Sequence, residues 1–150
     1  LSFADIISAR VRKYGNAIEF SISFDSIPEK LIFNDPRVES DNLEYSWGLE
    51  VDLQGDGRSD YAISVDSFKF GDTSPIESTL LKYTQKSVWE LTADGGNLTE
   101  VPLLVDKRGN TLVFLLQDNS TLPLSAFTAA SRYRFKSYVN EGESTYSDSL

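Results

Sequence analysis

Apolar and polar residues alternate without interruption between positions 43 and 53. The apolar set is Leu43, Tyr45, Trp47, Leu49, Val51 and Leu53, and the positions between them are polar or glycine. A period of two gathers the apolar side chains on one face of an extended strand, whereas a helix would spread them around its axis. The pattern therefore predicts a half-buried strand, and a second strand is predicted at residues 61–65, which read Tyr-Ala-Ile-Ser-Val.

The segment between these two strands has the spacing of an oxygen-rich calcium loop. Its candidate metal ligands are the side chains of Asp52, Gln54, Asp56 and Asp60 and the backbone carbonyl of Arg58. Calcium prefers several oxygen ligands, and Gly57 permits the sharp turn that such a loop needs. At the twelfth position of the loop, where an EF-hand carries a bidentate glutamate, this chain has Ile63. The last calcium ligand would therefore come from elsewhere in the fold. An acidic hairpin turn is the alternative, because Gly-Asp-Gly also suits a turn. We favour calcium (Ca2+).

Composition limits the classes of function. The chain has 150 residues, of which 40% are hydrophobic, which fits one domain with a core. Its net charge of −9 makes nucleic acid and anionic membranes poor partners, and no apolar run is long enough for membrane insertion as a helix. Because Cys and His are absent, thiol nucleophiles, Ser-His-Asp triads and the usual zinc sites are excluded. We find no signal peptide and interpret the chain as a mature protein or one domain of a longer chain.

The remaining strand and turn signals predict an all-β fold. Further strands are predicted at residues 4–14, 17–24, 31–33, 99–106, 111–117 and 133–139, with a hairpin of residues 80–84 and 87–92 and one helical turn at 122–127. Many short strands separated by Gly, Asp and Pro turns are typical of an antiparallel β-sandwich, such as a jelly roll. We predict a single domain over residues 4–139, followed by a polar C-terminal tail at residues 140–150.

Several short motifs occur in order along the chain. They are Val51-Asp52, Gly55-Asp56-Gly57, the segments 60–65, 80–83 and 88–90, Asn110-Thr111-Leu112-Val113, the segments 122–127 and 133–138, and Asp148. Together they resemble the DOMON-like β-sandwich domains, and especially extracellular bacterial accessory domains similar to carbohydrate-binding modules. The resemblance implies a non-catalytic extracellular module that is appended to a hydrolase or a surface protein. The haem-binding branch uses axial His or Met ligands, and this chain has neither.

Aromatic residues outside the first strand pair are candidate ligand contacts. Exposed aromatic rings can stack on sugar rings, and Trp89 and Tyr83 are the two candidates that we assign to ligand binding. Core packing is the alternative for Trp89, and we favour it narrowly because large aromatic side chains are mostly buried. For Tyr45 and Trp47, which lie on the apolar face of their strand, we predict core positions.

Three cations alternate along the last predicted strand, at Arg132, Arg134 and Lys136. One interpretation is an anion site, for a uronate or an acidic patch of a partner. The other is cross-strand pairing with acidic residues, including those of the strand before the acidic loop. We favour pairing, since the net charge is negative.

These observations lead to one functional prediction with two alternatives. We predict a calcium-stabilised, secreted or cell-surface module that recognises a polysaccharide or glycan as an accessory domain of a larger protein. The first alternative is an adhesion or spacer module that contacts protein neighbours through a strand edge. The second is a carboxylate-dependent glycosidase, which needs only two suitably placed carboxyls. Because 23 acids make a close pair unavoidable, this signal has little specificity and we predict no enzymatic activity.

Overall fold

The computed structural model describes residues 5–27, 29–32, 45–67, 77–79, 84–139 and 142–149. Most of these residues lie in antiparallel strands, and the described residues contain a single 3₁₀ turn, at Leu124–Ala126. The strands are β1 (Ile6–Tyr14), β2 (Ala17–Phe24), β3 (Lys30–Ile32), β4 (Tyr45–Asp52), β5 (Tyr61–Ser67), β6 (Glu77–Thr79), β7 (Thr84–Thr92), β8 (Gly95–Leu98), β9 (Leu103–Arg108), β10 (Thr111–Gln117), β11 (Arg132–Val139) and β12 (Gly142–Ser149). The predicted all-β sandwich is confirmed.

Two sheets form the sandwich. One has four strands in the order β1-β2-β10-β9, and the other has six in the order β12-β11-β4-β5-β7-β8. Strands β3 and β6 make a separate two-stranded sheet. The long hydrophobic strand β10 lies between β2 and β9, as its apolar residues on both faces predict. Within the part of the chain that the structure describes, no helix is long and apolar enough to span a membrane.

The core lies between the two sheets and is built by the alternation seen in the sequence. The inward side chains of β2 and β4 are buried, namely Ile18, Phe20, Ile22, Phe24, Tyr45, Trp47, Leu49 and Val51. Across the interface, the ring centroids of Phe20 and Tyr133 are 5.6 Å apart. Burying one large apolar side chain contributes roughly 1.5–3 kcal/mol, so these facing strands supply much of the stability. The core positions predicted for Tyr45 and Trp47 are confirmed, and their rings stack at 5.6 Å.

The predicted hairpin around Gln85 and Lys86 is wrong. Strand β7 runs through both residues, which pair with Asp66 and Val65 of β5. The polar Gln-Lys pair resembles a turn, but β5 supplies hydrogen-bond partners that keep the backbone extended. The chain turns instead after β7, at residues 93–94, and returns as β8. The predicted first arm falls mostly on residues 80–83, which lie outside the described residues.

The C-terminal segment also differs from the sequence prediction. Residues predicted as a polar tail form β12, which pairs along its length with β11, from Gly142 opposite Val139 to Ser149 opposite Arg132. An edge strand needs backbone partners on one side only and needs no apolar face, so polar composition does not prevent it. The boundary predicted at residue 139 is therefore not the end of the six-stranded sheet.

Candidate functional site

The acidic loop is organised around the carboxylate of Asp52. Its Oδ1 accepts hydrogen bonds from the amides of Gly55 at 2.8 Å and Asp56 at 3.2 Å, and its Oδ2 accepts one from Gly57 at 2.8 Å. Asp52 is only 9% exposed. Burial raises the pKa of this carboxyl, but the three amides favour the charged form, and the net pKa shift is downward. An ionised carboxylate at the end of β4 thus holds the turn.

Gly55 allows the loop to pack against the segment before β11. Its φ is +68°, a conformation that side chains with a Cβ rarely adopt. A Cβ at this position would also lie 2.3 Å from the carbonyl oxygen of Ala130. The neighbouring Ser131 hydroxyl donates a 2.8 Å hydrogen bond to the carbonyl of Leu53, so the loop is fixed on both sides.

The other predicted calcium ligands lie in or beside the same loop. Asp60 Oδ2 accepts the amide of Leu53 at 2.7 Å, and the exposed Asp56 accepts the amide of Arg58 at 2.9 Å. Gln54 and Arg58 are exposed. Among the residues that the structure describes, no group of three or more acidic side chains could hold a metal ion. Backbone amides already bond the carboxylate oxygens of Asp52, Asp56 and Asp60, and calcium coordination by these groups stays a prediction.

A cleft of about 360 Å³ lies beside this loop, lined in part by Glu50, Ser59, Arg132 and Arg134. Glu50 accepts hydrogen bonds on both carboxylate oxygens: Lys136 donates to Oε1 at 2.8 Å and Ser59 donates to Oε2 at 3.2 Å. Burial raises the pKa of Glu50. Lys136, Ser59 and Arg134 together lower this pKa by more than burial raises it, so the net pKa shift is downward. Glu50 is therefore held as a carboxylate.

The three cations of β11, Arg132, Arg134 and Lys136, differ in the partners that they contact. Lys136 and Glu50 form the cross-strand pair that we favoured from the sequence, and Arg134 lies directly opposite Glu50 in the strand register. Arg132 instead donates from Nη1 to the carbonyl oxygens at positions 129, 130 and 131. Arg132 thus stabilises the loop before β11. The alternation of residues along a strand does not predict such a contact.

The outward face of the six-stranded sheet brings residues from four strands into transverse rows. The first row is Arg134, Glu50, Ala62 and Trp89; the second is Lys136, Gly48, Ser64 and Ser87; the third is Tyr138, Ser46, Asp66 and Gln85. We call this surface the outer face. Its middle positions, on β4 and β5, are mostly small, so the side chains at its two ends stand above the centre.

Trp89 lies on the outer face and is 41% exposed. The core position that we narrowly favoured for it is wrong, because the inward positions of β7 alternate with it and its neighbour Val88 is the buried one. Leu98 of β8, 60% exposed, pairs directly with Trp89. The second predicted ligand contact, Tyr83, lies outside the described residues.

A network of hydroxyl groups crosses the centre of the outer face. Asp66 accepts from Ser46 at 2.5 Å and from Ser64 at 2.8 Å, and the Ser64 and Ser87 hydroxyls are 3.2 Å apart. Each serine oxygen has two acceptor lone pairs, so the network can accept further hydrogen bonds from a ligand. The sequence contains these residues at alternating positions, but only the strand order shows that they are neighbours.

Gly48 lies at the centre of this face and is itself buried. A Cβ there would lie 2.1 Å from the carbonyl oxygen of Ile63 and 2.8 Å from Cα of Ser64. Distances below 3.0 Å require the backbone to move, so β4 and β5 can pair closely only because this residue has no side chain. No side chain therefore lies at this position, between the hydroxyl network and the Glu50–Lys136 pair.

No protein-family model, curated protein or solved structure matches this chain in the three comparisons. The resemblance to DOMON-like domains therefore stays a prediction. Sequence reasoning overlooked four candidate contact residues of the outer face, namely Ser46, Ser64, Asp66 and Tyr138. These residues alternate with apolar residues along their strands, which predicts that they lie on the outward face. The alternation does not show which strands are adjacent in the sheet.

Proposed function

We propose that this protein is a non-catalytic module that binds carbohydrate on its outer face. The observation that carries the proposal is the partly exposed ring of Trp89 beside a hydroxyl network on an open sheet surface. A flat aromatic ring covers the apolar C–H face of a sugar, while nearby polar groups exchange hydrogen bonds with its hydroxyls. Both kinds of contact are within one or two strands of each other.

The state of the nearby carboxyls supports binding over hydrolysis. A glycosidase needs one carboxyl whose pKa is raised so that it can donate a proton. The pKa of Glu50 is instead lowered, with Lys136 hydrogen-bonded to it. The Asp66 carboxylate oxygens accept hydrogen bonds from two serines of the same face. Glu50 and Asp66 are therefore better suited to holding neighbouring side chains in place than to transferring a proton.

The experiment is polysaccharide affinity gel electrophoresis supported by a glycan array, with the wild type, Trp89→Ala and Tyr14→Ala. Tyr14 is a matched control, because it is an exposed aromatic residue (62%) on the other sheet. We expect Trp89→Ala to weaken binding at least about tenfold, as loss of a tryptophan contact commonly does, and Tyr14→Ala to bind like the wild type. Equal binding by the wild type and Trp89→Ala would remove the proposal.

A second candidate function, contact with a protein neighbour, is favoured by the edge strand β8. Leu98 projects from that edge with 60% exposure and extends the apolar surface of Trp89. An unpaired edge can accept another strand. Sedimentation analysis of the wild type and Leu98→Lys separates this from sugar binding. Self-association that the lysine abolishes, without saccharide binding, would support the edge contact.

We also propose, from the spacing of the acids alone, that calcium binds the loop at Asp52, Gln54, Asp56, Arg58 and Asp60. The ion would neutralise these acids and add to the hydrogen bonds of the Asp52 carboxylate. A secreted or cell-surface location belongs to the same proposal, since weak calcium sites fill at extracellular calcium levels.

A further inference from the structure

We infer that the binding surface extends across the outer face from Trp89 to Tyr138, and that its occupant is an oligosaccharide longer than a disaccharide. This inference rests on the proposed carbohydrate function, whose site it enlarges. A second exposed aromatic ring on the same face is the observation that leads to it.

Tyr138 lies on the same side of the sheet as Trp89. Trp89 shares a transverse row with Arg134 through Ala62 and Glu50, and Tyr138 follows Arg134 by four positions on β11, so both side chains point outward. Tyr138 is 41% exposed. The rings are three strand spacings and four residues apart, which corresponds to roughly 20 Å.

The side chains between the two rings are small. A straight line from Trp89 to Tyr138 crosses β5 between Ala62 and Ser64 and crosses β4 between Gly48 and Ser46. These are the smallest side chains of the outer face, and Gly48 cannot be larger because of its contact with the carbonyl of Ile63. An extended ligand can therefore touch both rings without meeting a large described side chain between them.

The side chains that flank this line are polar and their charges are balanced. On one side, Lys136 and Glu50 neutralise each other at 2.8 Å. On the other side, the Asp66 carboxylate is satisfied by the hydroxyls of Ser46 and Ser64. A neutral polyhydroxylated chain can exchange hydrogen bonds with these groups, whereas an apolar peptide would bury them without partners.

The spacing of the rings sets the required ligand length. One aromatic ring covers about one sugar ring, because the two rings are similar in size, so a disaccharide on Trp89 falls short of Tyr138. A chain that reaches both rings gains the second contact without a second loss of translational freedom. Affinity should therefore rise with chain length until the ligand contacts Tyr138 and then become constant.

The test is isothermal titration calorimetry with a length series, from disaccharide to hexasaccharide, of the polysaccharide that binds best. We expect Tyr138→Ala to weaken hexasaccharide binding about tenfold, to leave disaccharide binding unchanged and to remove the length dependence. Tyr138→Phe, which keeps the ring, should bind like the wild type. Circular dichroism checks that each variant is folded.

Failure of this inference differs from failure of the proposed function. An affinity independent of length, or a Tyr138→Ala protein that binds the hexasaccharide like the wild type, overturns the extended site while Trp89 remains a sugar contact. Wild-type affinity of Trp89→Ala for every saccharide, or no saccharide binding by the wild type, overturns the proposed function and this inference with it.

Discussion

The exposed rings of Trp89 on β7 and Tyr138 on β11 lie on the same face of the six-stranded sheet, with β5 and β4 between them. Leu49, Ile63, Val88 and Phe135, on the opposite face of these strands, are buried in the sandwich core. A solvent-facing sheet face normally carries polar side chains. Here two large rings lie at opposite corners of the face, and the positions between them include the small residues Gly48, Ala62 and Ser64.

The close pairing of β4 and β5 makes Gly48 irreplaceable. We expect Gly48→Ala to lower the free energy of unfolding by at least about 2 kcal/mol, because the added Cβ meets backbone atoms that cannot rotate away. Urea unfolding measures the loss. Gly15→Ala is the control: its φ is +57° but no atom lies within 4 Å of the added Cβ, so only the smaller strain of about 1 kcal/mol applies. Equal losses in the two variants would contradict the close approach.

The acidic loop should keep its shape without a metal ion. Asp52 already accepts the amides of Gly55, Asp56 and Gly57, so we expect slow hydrogen exchange at these amides in excess chelator. In Asp52→Ala they should exchange at least about tenfold faster, whereas Asp94→Ala, which removes an acid in the turn after β7, should leave them slow. Fast exchange that only calcium slows would show that the ion, and not the carboxylate, holds the turn.

The proposed calcium ion should add stability to this loop. Millimolar calcium should raise the melting temperature of chelator-treated protein, and the gain in stability is about 2.7 kcal/mol at one hundred times the dissociation constant. Asp56→Ala should remove the rise, because it deletes an exposed carboxylate that is one of the proposed ligands. Asp94→Ala should keep it. A melting temperature that calcium leaves unchanged in the wild type would end the calcium proposal.

The Glu50–Lys136 pair predicts a specific acid dependence. The pKa of Glu50 in the folded protein is below its ordinary value of 4.5. The unfolded chain therefore binds the proton more tightly, and the pair contributes fully above about pH 4.5 and is lost as the pH falls through the lower folded pKa. At pH 7 we expect Glu50→Gln to cost about 0.5–1 kcal/mol, since both side chains are partly exposed.

Denaturant unfolding at pH 7 and pH 3 measures this effect in a double-mutant cycle. Lys136→Gln should cost about as much as Glu50→Gln at pH 7, and the double variant little more than either. Additive costs, or a coupling that is the same at both pH values, would mean that the two charges do not stabilise each other.

Strand positions follow directly from the sequence where one face is apolar. The alternation in β2 and β4 gives their inward side chains, and the Gly-Asp-Gly segment gives the loop between β4 and β5. The pairing of Gln85 and Lys86 with β5 was not predictable, because two polar residues in a strand look the same as two in a turn.

The candidate site was less predictable, since it depends on the order of the strands. Glu50 and Lys136 are 86 positions apart in the chain, and their contact exists only because β11 lies beside β4. Trp47 is buried and Trp89 is exposed. The other residues on each face differ: Trp47 shares its face with Tyr45, Leu49 and Val51, whereas Trp89 shares its face with Ser87 and Leu91, and its neighbour Val88 takes the buried position.

Binding of a polysaccharide panel by the wild type, Trp89→Ala and Tyr14→Ala, compared in affinity gels at equal protein concentration, tests carbohydrate recognition on the outer face most directly. We predict that at least one polysaccharide retards the wild type and Tyr14→Ala equally and retards Trp89→Ala far less. Equal retardation of all three proteins, or of none, would contradict a sugar site at Trp89.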